Sequence, residues 1–204
     1  NLREFAFNNC PYLKTITNPN SLVNFKSFSF GQLISLELFI VNDDHPKLIS
    51  LDGILFTKEY PETIFRYPST KTDKYYTIPS FVKSIEVYAF YKNDNIECIS
   101  IGPQVNIINV GSFYDCPNLN SLVYLGLKQP KNTIGDPISR CSKLKEVQVS
   151  LQYCNSTFFK LPINRVENPK CEKSTDDIEP TNEATTIDEI KTSDEIKTTD
   201  EIKI

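Results

Sequence analysis

The sequence predicts a leucine-rich-repeat solenoid, because several apolar columns share one period. Four apolar residues each precede an aromatic residue by five positions, in the pairs Leu2 and Phe7, Phe25 and Phe30, Ile85 and Phe90, and Ile108 and Phe113. The position number rises by 23 between neighbouring pairs within each half of the chain, and likewise from Leu13 to Leu36. A period of about 20–29 residues with an L-x-x-L-x-L core is typical of such solenoids, in which each repeat buries its apolar face only against its neighbours.

Five segments have the pattern of a short strand with alternating core residues: 13–18, 36–41, 96–101, 119–124 and 144–149. We expect these strands to stack in parallel about 4.8 Å apart along one face of the solenoid. Further apolar runs at 22–25, 82–85 and 105–108 predict strands or extended turns on the other side. After each run, the aromatic residue is expected to turn inward on a short helical or 3₁₀ turn.

The repeat is interrupted between positions 42 and 76. The position number rises by 60 from Leu36 to Ile96, which corresponds to one period of 23 with 37 added. Two β-prone stretches in this interval, 50–57 and 62–68, are separated by a short polar turn and predict a β-hairpin. The hairpin either packs as an irregular coil of the solenoid or projects from it.

The repeat pattern fades at the C-terminal end of the chain. Apolar residues within 151–171 predict a cap over the last repeat, namely Tyr153, Phe158, Phe159, Leu161 and Ile163. Residues 172–204 contain no aromatic residue and carry eleven Asp or Glu against four Lys. We expect this segment to be a disordered acidic stalk or linker. The predicted organisation is therefore repeats at 1–41, a hairpin insert at 42–76, repeats at 77–150, a cap at 151–171 and the stalk at 172–204.

Composition argues against several functional classes. The whole chain carries a net charge of −4, and the acidic tail alone accounts for −7, so the remaining residues are mildly basic without a Lys or Arg run. This pattern disfavours nucleic-acid binding. No apolar run approaches the roughly 20 residues of a membrane-spanning helix. The chain contains no Met and starts within a repeat, so we expect a fragment or a processed product.

Three motifs are more specific than the period. They are Tyr-Thr-Ile-Pro-Ser-Phe-Val-Lys-Ser-Ile-Glu-Val-Tyr-Ala-Phe at 76–90, Gly-Ser-Phe-Tyr-Asp-Cys-Pro-Asn-Leu at 111–119 and Ala-Phe-Asn-Asn-Cys-Pro-Tyr-Leu at 6–13. With them, residues 1–150 resemble the BspA-like leucine-rich repeats of bacterial and protist surface proteins. Asp-Gly-Ile-Leu-Phe at 52–56, followed by Arg-Tyr-Pro at 66–68, is similar to a hairpin insert common in that family. The resemblance implies a surface antigen or adhesin without catalytic residues or cofactors, located at the cell surface or secreted.

The strand face is the predicted ligand-binding surface, because residues between the core positions point outward. We expect a host, matrix or neighbouring cell-surface protein to contact seven of them: Leu38, Ile40, Glu97, Ser100, Asn120, Val123 and Gln148. The register turns Leu38, Ile40 and Val123 toward solvent. These three residues are either ordinary surface apolarity or part of a contact patch.

The six cysteines fall into three sets. Cys10, Cys116 and Cys141 each stand three residues before a strand Leu, which indicates a buried structural column and not a metal site. The register turns Cys98 outward and makes it a candidate reactive or intermolecular thiol. Cys154 and Cys171 flank the predicted cap and are candidates for a disulfide in a secreted protein.

Two other residues invite a chemical role. Asn155-Ser156-Thr157 is an N-glycosylation sequon in a polar loop, so Asn155 is a candidate acceptor. His45 is the only histidine, and we expect it to lie in a solvated turn instead of a metal or acid–base site. The chain has no nucleophile motif and no Gly-rich phosphate loop, so we expect no enzyme activity.

The leading hypothesis is a non-catalytic extracellular module that binds a protein ligand through its strand face. An intracellular leucine-rich-repeat scaffold with reduced cysteines is the alternative, and a structural spacer without a ligand is a third possibility.

Overall fold

Short strands recur along the chain at the positions that the period predicts. The computed structural model describes residues 2–4, 6–7, 10–25, 29–30, 33–132 and 135–171. Within them the strands are β1 (Thr15–Asn18), β2 (Leu38–Val41), β3 (Leu48–Leu51), β4 (Ile54–Thr57), β5 (Thr63–Arg66), β6 (Tyr75–Thr77), β7 (Ser84–Ile85), β8 (Cys98–Ile101), β9 (Ile107–Ile108), β10 (Phe113–Tyr114), β11 (Ser121–Tyr124), β12 (Ile138–Ser139), β13 (Val147–Ser150) and β14 (Ile163–Val166).

The strands form two five-stranded sheets and two pairs. The main sheet has the order β14-β13-β11-β8-β6 and is parallel throughout. The lateral sheet has the order β3-β4-β5-β7-β9 and is parallel only from β5 to β9. Strands β1 and β2 form a parallel pair, as do β10 and β12.

The strand register confirms the predicted period. Position 15 pairs with 38, 75 with 98, and 98 with 121, so each step between these neighbouring parallel strands raises the position number by 23. Leu122 pairs with Val147, which agrees with the stretched spacing of the last predicted repeat. The solenoid predicted from the sequence is therefore the fold of the chain.

The interruption of the repeat is a β-hairpin that joins the lateral sheet. Strands β4 and β5 pair antiparallel, as the sequence predicts, and β3 adds a further antiparallel strand to β4. Strand β5 then pairs in parallel with β7 of the following coil. The insert is thus packed into the stack as an irregular coil and continues its lateral wall.

Stacked aromatic rings run through the core along the solenoid. The rings of Tyr67 and Phe90 lie 5.1 Å apart and those of Phe90 and Phe113 lie 5.3 Å apart, all close to parallel. Phe7 and Phe30 stack in the same way at 5.6 Å. Each fully buried ring is worth roughly 1.5–3 kcal/mol relative to exposure, so this column is a principal source of stability.

The short helical turns expected at these aromatic residues are wrong, since the described residues contain no helix. Tyr88 and Lys92 have φ angles of 57° and 51°, and Gly111 and Asp115 have 63° and 61°. Left-handed residues four positions apart leave too few consecutive right-handed residues to form a helix. Tight turns therefore carry each ring inward.

Among the described residues, no helix could span a bilayer.

Two strands of the main sheet were missing from the sequence prediction. Strand β6 lies one period before β8, so counting back from Cys98 to Tyr75 finds it. Strand β14 follows β13 in less than one period, because Ile163 pairs with Val147, and the period therefore does not reveal it. Tyr153, Phe158 and Phe159 of the predicted cap are part of the large apolar cluster. The predicted stalk at 172–204 lies outside the described residues.

Candidate functional site

The strand face consists of the outward-pointing residues of β1, β2 and the main sheet. On β8, β11 and β13, Ser100, Val123 and Gln148 pair side by side in one row. The preceding residues Ile99, Leu122 and Val147 point inward and are fully buried. The predicted alternation between core and outer positions is therefore present on all three strands.

The N-terminal part of the strand face is open. Ile40 lies on β2 with 45% of its surface exposed. Leu38, two residues earlier, is half-buried because the turn between β3 and β4 of the insert packs on it. Gly53 of that turn has a φ of +74°, and a Cβ added there would lie 2.8 Å from the Cβ of Leu38. Only glycine fits this approach, so the insert is fitted closely to the strand face.

Glu97 and Asn120 lie just before β8 and β11, at the rim of the main sheet. The Glu97 carboxylate is 3.6 Å from Lys74 Nζ, and the backbone amide of Asn120 donates to the Glu97 carbonyl at 2.9 Å. An exposed ion pair of this kind contributes about 0–1 kcal/mol. The rim is therefore polar and close to neutral.

The prediction that Val123 is open to solvent is wrong, since its side chain is fully buried. Val123 still lies in the outward row, paired side by side with Ser100 and Gln148. It is absent from the large apolar cluster that holds its neighbours Leu122 and Tyr124. Of the seven predicted contact residues, the structure leaves Ile40 and Asn120 exposed, half-buries Leu38, Glu97, Ser100 and Gln148, and covers Val123.

The predicted disulfide between Cys154 and Cys171 is wrong, because Cys171 is bonded to Cys98. Cys154 is exposed and has a free thiol. Cys98 was expected to be an accessible thiol, yet only 2% of its surface is exposed. The sequence prediction paired neighbours along the chain, whereas β14 redirects the chain end across the main sheet to β8. An outward register for Cys98 was correct, but its oxidation state was not foreseen.

We use the name turn column for the residues that stand three positions before the first core residue of a strand. Their side chains hydrogen-bond to the backbone of the turn or of the preceding coil. Asn93 Oδ1 accepts from the amides of Asn95 and Ile96, and its Nδ2 donates to Pro68 O at 3.3 Å. His45 also accepts from two backbone amides of its own turn: its Nδ1 accepts from the amides of Lys47 and Leu48 at 3.1 and 3.0 Å. The expected solvated turn at His45 is therefore wrong, because the imidazole is buried and caps backbone amides.

Cys116 and Cys141 occupy the same column and are buried. Each thiol donates to a carbonyl of the preceding coil, Cys116 to Phe90 O and Cys141 to Phe113 O, both at 2.9 Å. Contact with Cys141, together with burial, raises the pKa of the Cys116 thiol. The same contact lowers the pKa of the Cys141 thiol. Both thiols are buried and donate to backbone carbonyls, which agrees with the predicted structural role. Cys10 is only half-buried.

Arg66 is a buried cation that the sequence prediction did not single out. Its guanidinium lies over the ring of Tyr91, 5.5 Å from the centroid, and donates through Nη1 to Tyr88 O. Burial lowers the pKa of Arg66 to about 10, so it is still charged at neutral pH. Because these contacts are a tyrosine ring and a backbone carbonyl, we interpret Arg66 as a support for the tyrosine-rich turns.

The remaining polar groups of the site are an exposed sequon and the side chains of the strand face. The described ranges hold no group of three or more His, Cys, Asp or Glu side chains that could bind a metal ion. Asn155, the candidate glycosylation acceptor, is exposed, and its Oδ1 accepts from the Gln129 amide at 2.9 Å. The strand face offers apolar, hydroxyl and amide side chains, which suit contact with another polypeptide.

Comparison with known proteins agrees with this geometry. The profile of the BspA-type leucine-rich repeat region matches residues 1–72 and 58–182 in six copies. A leucine-rich cell surface protein from Faecalibacterium prausnitzii A2-165 has a similar fold, with a TM-score of 0.57 and 20% identity, over 69% of this chain and 43% of that protein.

A leucine-rich repeat protein from Eubacterium ventriosum gives a TM-score of 0.56 and 23% identity over 67% of this chain and 42% of its own. The pneumococcal vaccine antigen PcpA gives a TM-score of 0.47 at 21% identity, over 69% of this chain and 46% of the antigen. The chain spans less than half the length of these solved proteins. Comparison with curated protein sequences gave no match.

Proposed function

Since this chain belongs to the BspA-type leucine-rich repeat family, we propose that it is a non-catalytic recognition module that binds a protein ligand through its strand face. The module acts at the cell surface or after secretion. Two solved proteins of similar fold are described as a leucine-rich cell surface protein and a leucine-rich repeat protein. The proposal extends the location of the first of them to this chain.

The observation that carries the proposal is the open apolar patch at the N-terminal part of the strand face. Ile40 is 45% exposed on β2, and Leu51 is 39% exposed at the end of β3 in the hairpin insert. The Ser50 hydroxyl donates to Phe39 O at 2.7 Å, which holds the two segments side by side. Exposed apolar side chains held side by side on a folded surface are typical of a protein-binding site.

The disulfide between Cys98 and Cys171 supports an extracellular location. Disulfides persist in oxidising compartments and are rare in the cytosol. An intracellular scaffold of the same fold would keep these two cysteines reduced. Labelling of intact cells with a membrane-impermeant reagent separates the alternatives, because only a surface protein is labelled without lysis. Asn155 is exposed. If the protein is produced in a eukaryotic secretory host, a glycan at Asn155 would show that the sequon is accessible to the glycosylation machinery.

Substitution of Ile40 tests the proposed contact. We expect Ile40→Glu to weaken binding to immobilised matrix proteins or to intact cells at least tenfold, because it places a charge in the apolar centre. Ile34→Glu is the matched control, since Ile34 is also 45% exposed but lies outside the strands. Surface plasmon resonance and flow cytometry give the two readouts. Equal binding by both variants would show that the ligand contacts another surface.

A further inference from the structure

The chain crosses its own strand face after the last strand. Strand β14 ends at Val166, whereas Cys171 is bonded to Cys98 on β8. Strands β13 and β11 lie between β14 and β8 in the main sheet. Residues 167–171, which we name the crossing segment, therefore have to pass over both strands.

The crossing segment is only just long enough to connect β14 with Cys98, so it has to follow the direct line between them. Val166 on β14 pairs with Ser150 on β13. Followed across β11 to β8, the register of the sheet places this pair four residues further along the strands than Cys98. Three strand spacings and four residue rises give a diagonal of about 20 Å. Five extended residues span at most about 17 Å, and the disulfide joins Cα atoms 5.8 Å apart. The segment is therefore almost fully extended along the diagonal, which passes over Gln148 and Val123.

Burial on the strand face follows this diagonal. Val123 lies under it and is fully buried, although its side chain belongs to neither apolar cluster of the core. Ser150 also points outward, and its Oγ is covered without a hydrogen-bond partner among the described residues. Off the path, Ile40 keeps 45% of its surface exposed. Pro169 in the middle of the crossing segment is half-buried, as expected if it rests on the strand face.

We infer that the strip of the strand face around Val123 is a binding site for an extended peptide, which the crossing segment occupies in cis while the disulfide is closed. The strip has an apolar floor at Val123 and polar flanks at Ser100 and Gln148. It accepts an extended segment with a small apolar residue over Val123, as Pro169 provides here. This inference rests on the proposed function, since it adds a second, latched subsite to the same face.

Thiol–disulfide exchange with a dithiol reductant opens the latch. One thiolate of the reductant attacks Cys171 Sγ, because Cys171 is half-buried while Cys98 is 2% exposed. Cys98 leaves as a thiolate and takes up a proton. The second thiol of the reductant then displaces Cys171 from the mixed disulfide. The products are two protein thiols and the oxidised, cyclic disulfide of the reductant.

Hydrogen exchange before and after reduction tests the latch. We expect amide exchange in residues 167–171 to rise at least tenfold on addition of dithiothreitol, while peptides containing Ser84–Ile85 and Ile107–Ile108 keep their protection. Cys154→Ser is the control for the free thiol and behaves as wild type. Unchanged exchange in the crossing segment after complete reduction would overturn the inference.

Disulfide capture of a peptide tests the site without depending on the first result. Cys171→Ser frees Cys98 to react with a synthetic peptide of residues 166–171 in a thiol redox buffer. We expect at least tenfold more capture of this peptide than of a scrambled peptide with the same C-terminal cysteine. Val123→Lys removes the preference, and Thr77→Lys, in the same row but off the path, retains it. Equal capture of both peptides contradicts the site.

The outcome also separates the latch from the proposed function. If Ile40→Glu has no effect on ligand binding while peptide capture is selective, the open patch is not the contact but the latched strip remains a peptide site. If capture is unselective while Ile40→Glu weakens binding, the proposed function stands without the second subsite.

Discussion

At the scale of single residues, His45 shows how one side chain can end a turn. Its Nδ1 accepts from two backbone amides of the turn, and Asn93 Oδ1 fulfils the same role further along the stack. A buried amide that loses its acceptor costs about 1–3 kcal/mol. The side chain therefore contributes to the fold through the two hydrogen bonds that it accepts.

We expect His45→Ala to lower the free energy of unfolding by about 2–4 kcal/mol, because it leaves two amides unpaired and a cavity. His45→Asn places an amide oxygen where Asn93 already has one, and its loss is below about 1.5 kcal/mol. Urea denaturation of both variants measures the difference. If Asn and Ala are equally destabilising, the hydrogen bonds are not what the histidine supplies.

Tyr124 is a residue whose burial predicts a dependence of stability on pH. Its single hydroxyl proton is shared between two backbone carbonyls, Val105 O at 3.2 Å and Lys128 O at 3.0 Å. Burial raises the pKa of Tyr124 to about 12. Between the ordinary pKa near 10 and this value, the unfolded chain loses the phenolic proton and the folded chain keeps it. The unfolded state binds fewer protons there, so stability falls as pH rises.

We expect the free energy of unfolding of the wild type to fall more steeply between pH 10 and pH 12 than that of Tyr124→Phe. The variant is less stable at pH 7, because it loses the hydroxyl that donates to the two carbonyls, and the two curves approach each other in alkali. Denaturation with urea at several pH values gives both curves. Parallel curves would mean that Tyr124 titrates alike in the folded and unfolded chain.

The sequence predicts the environment of a side chain correctly where the alternation of inward and outward positions along a strand determines its burial. It fails where a segment distant in sequence covers an outward position. Ile99 and Ser100 have opposite environments because side chains alternate along a strand, and the pattern alone predicts this. Val123 has the same outward register as Ser100 but is fully buried, which we attribute to the crossing segment. Alternation carries no information about what covers a face, so that part of the candidate site required the structure.

At the scale of structural elements, the hairpin insert combines a predictable pairing with an unpredictable position. Two β-prone stretches with a turn between them specify β4 and β5, since the pairing is local. The attachment of β5 to β7 depends on packing between coils. So does the contact of a different turn, the one between β3 and β4, which presses Gly53 against Leu38 of β2.

We expect Gly53→Ala to destabilise the protein by about 2–4 kcal/mol, because the added Cβ has to adopt a left-handed φ and press on Leu38. Gly102→Ala is the control, since Gly102 has no positive φ and meets only the flexible end of Gln104. Its cost is below about 1 kcal/mol. The measurement is urea denaturation of both variants. A similar loss in both would show that the turn is not fitted tightly to β2.

At the scale of the whole molecule, one covalent bond connects the last coil with the middle of the stack. A solenoid buries each repeat mainly against its neighbours, so its coils are otherwise linked one step at a time. The bond between Cys98 and Cys171 joins residues 73 positions apart and bypasses several of these steps. We therefore expect it to couple the C-terminal coils into one cooperative unit.

A peptide map under non-reducing conditions checks the pairing directly. We expect the peptides of Cys98 and Cys171 to be recovered joined and Cys154 to be alkylated before reduction. Closing a loop of 73 residues stabilises the folded chain by about 4 kcal/mol in the chain-entropy account. Cys98→Ser with Cys171→Ser should therefore lower the free energy of unfolding by about that amount and broaden the transition, as the last coils unfold first. Cys154→Ser leaves both quantities unchanged, and a loss as large in that variant as in the double variant would contradict the assigned pairing.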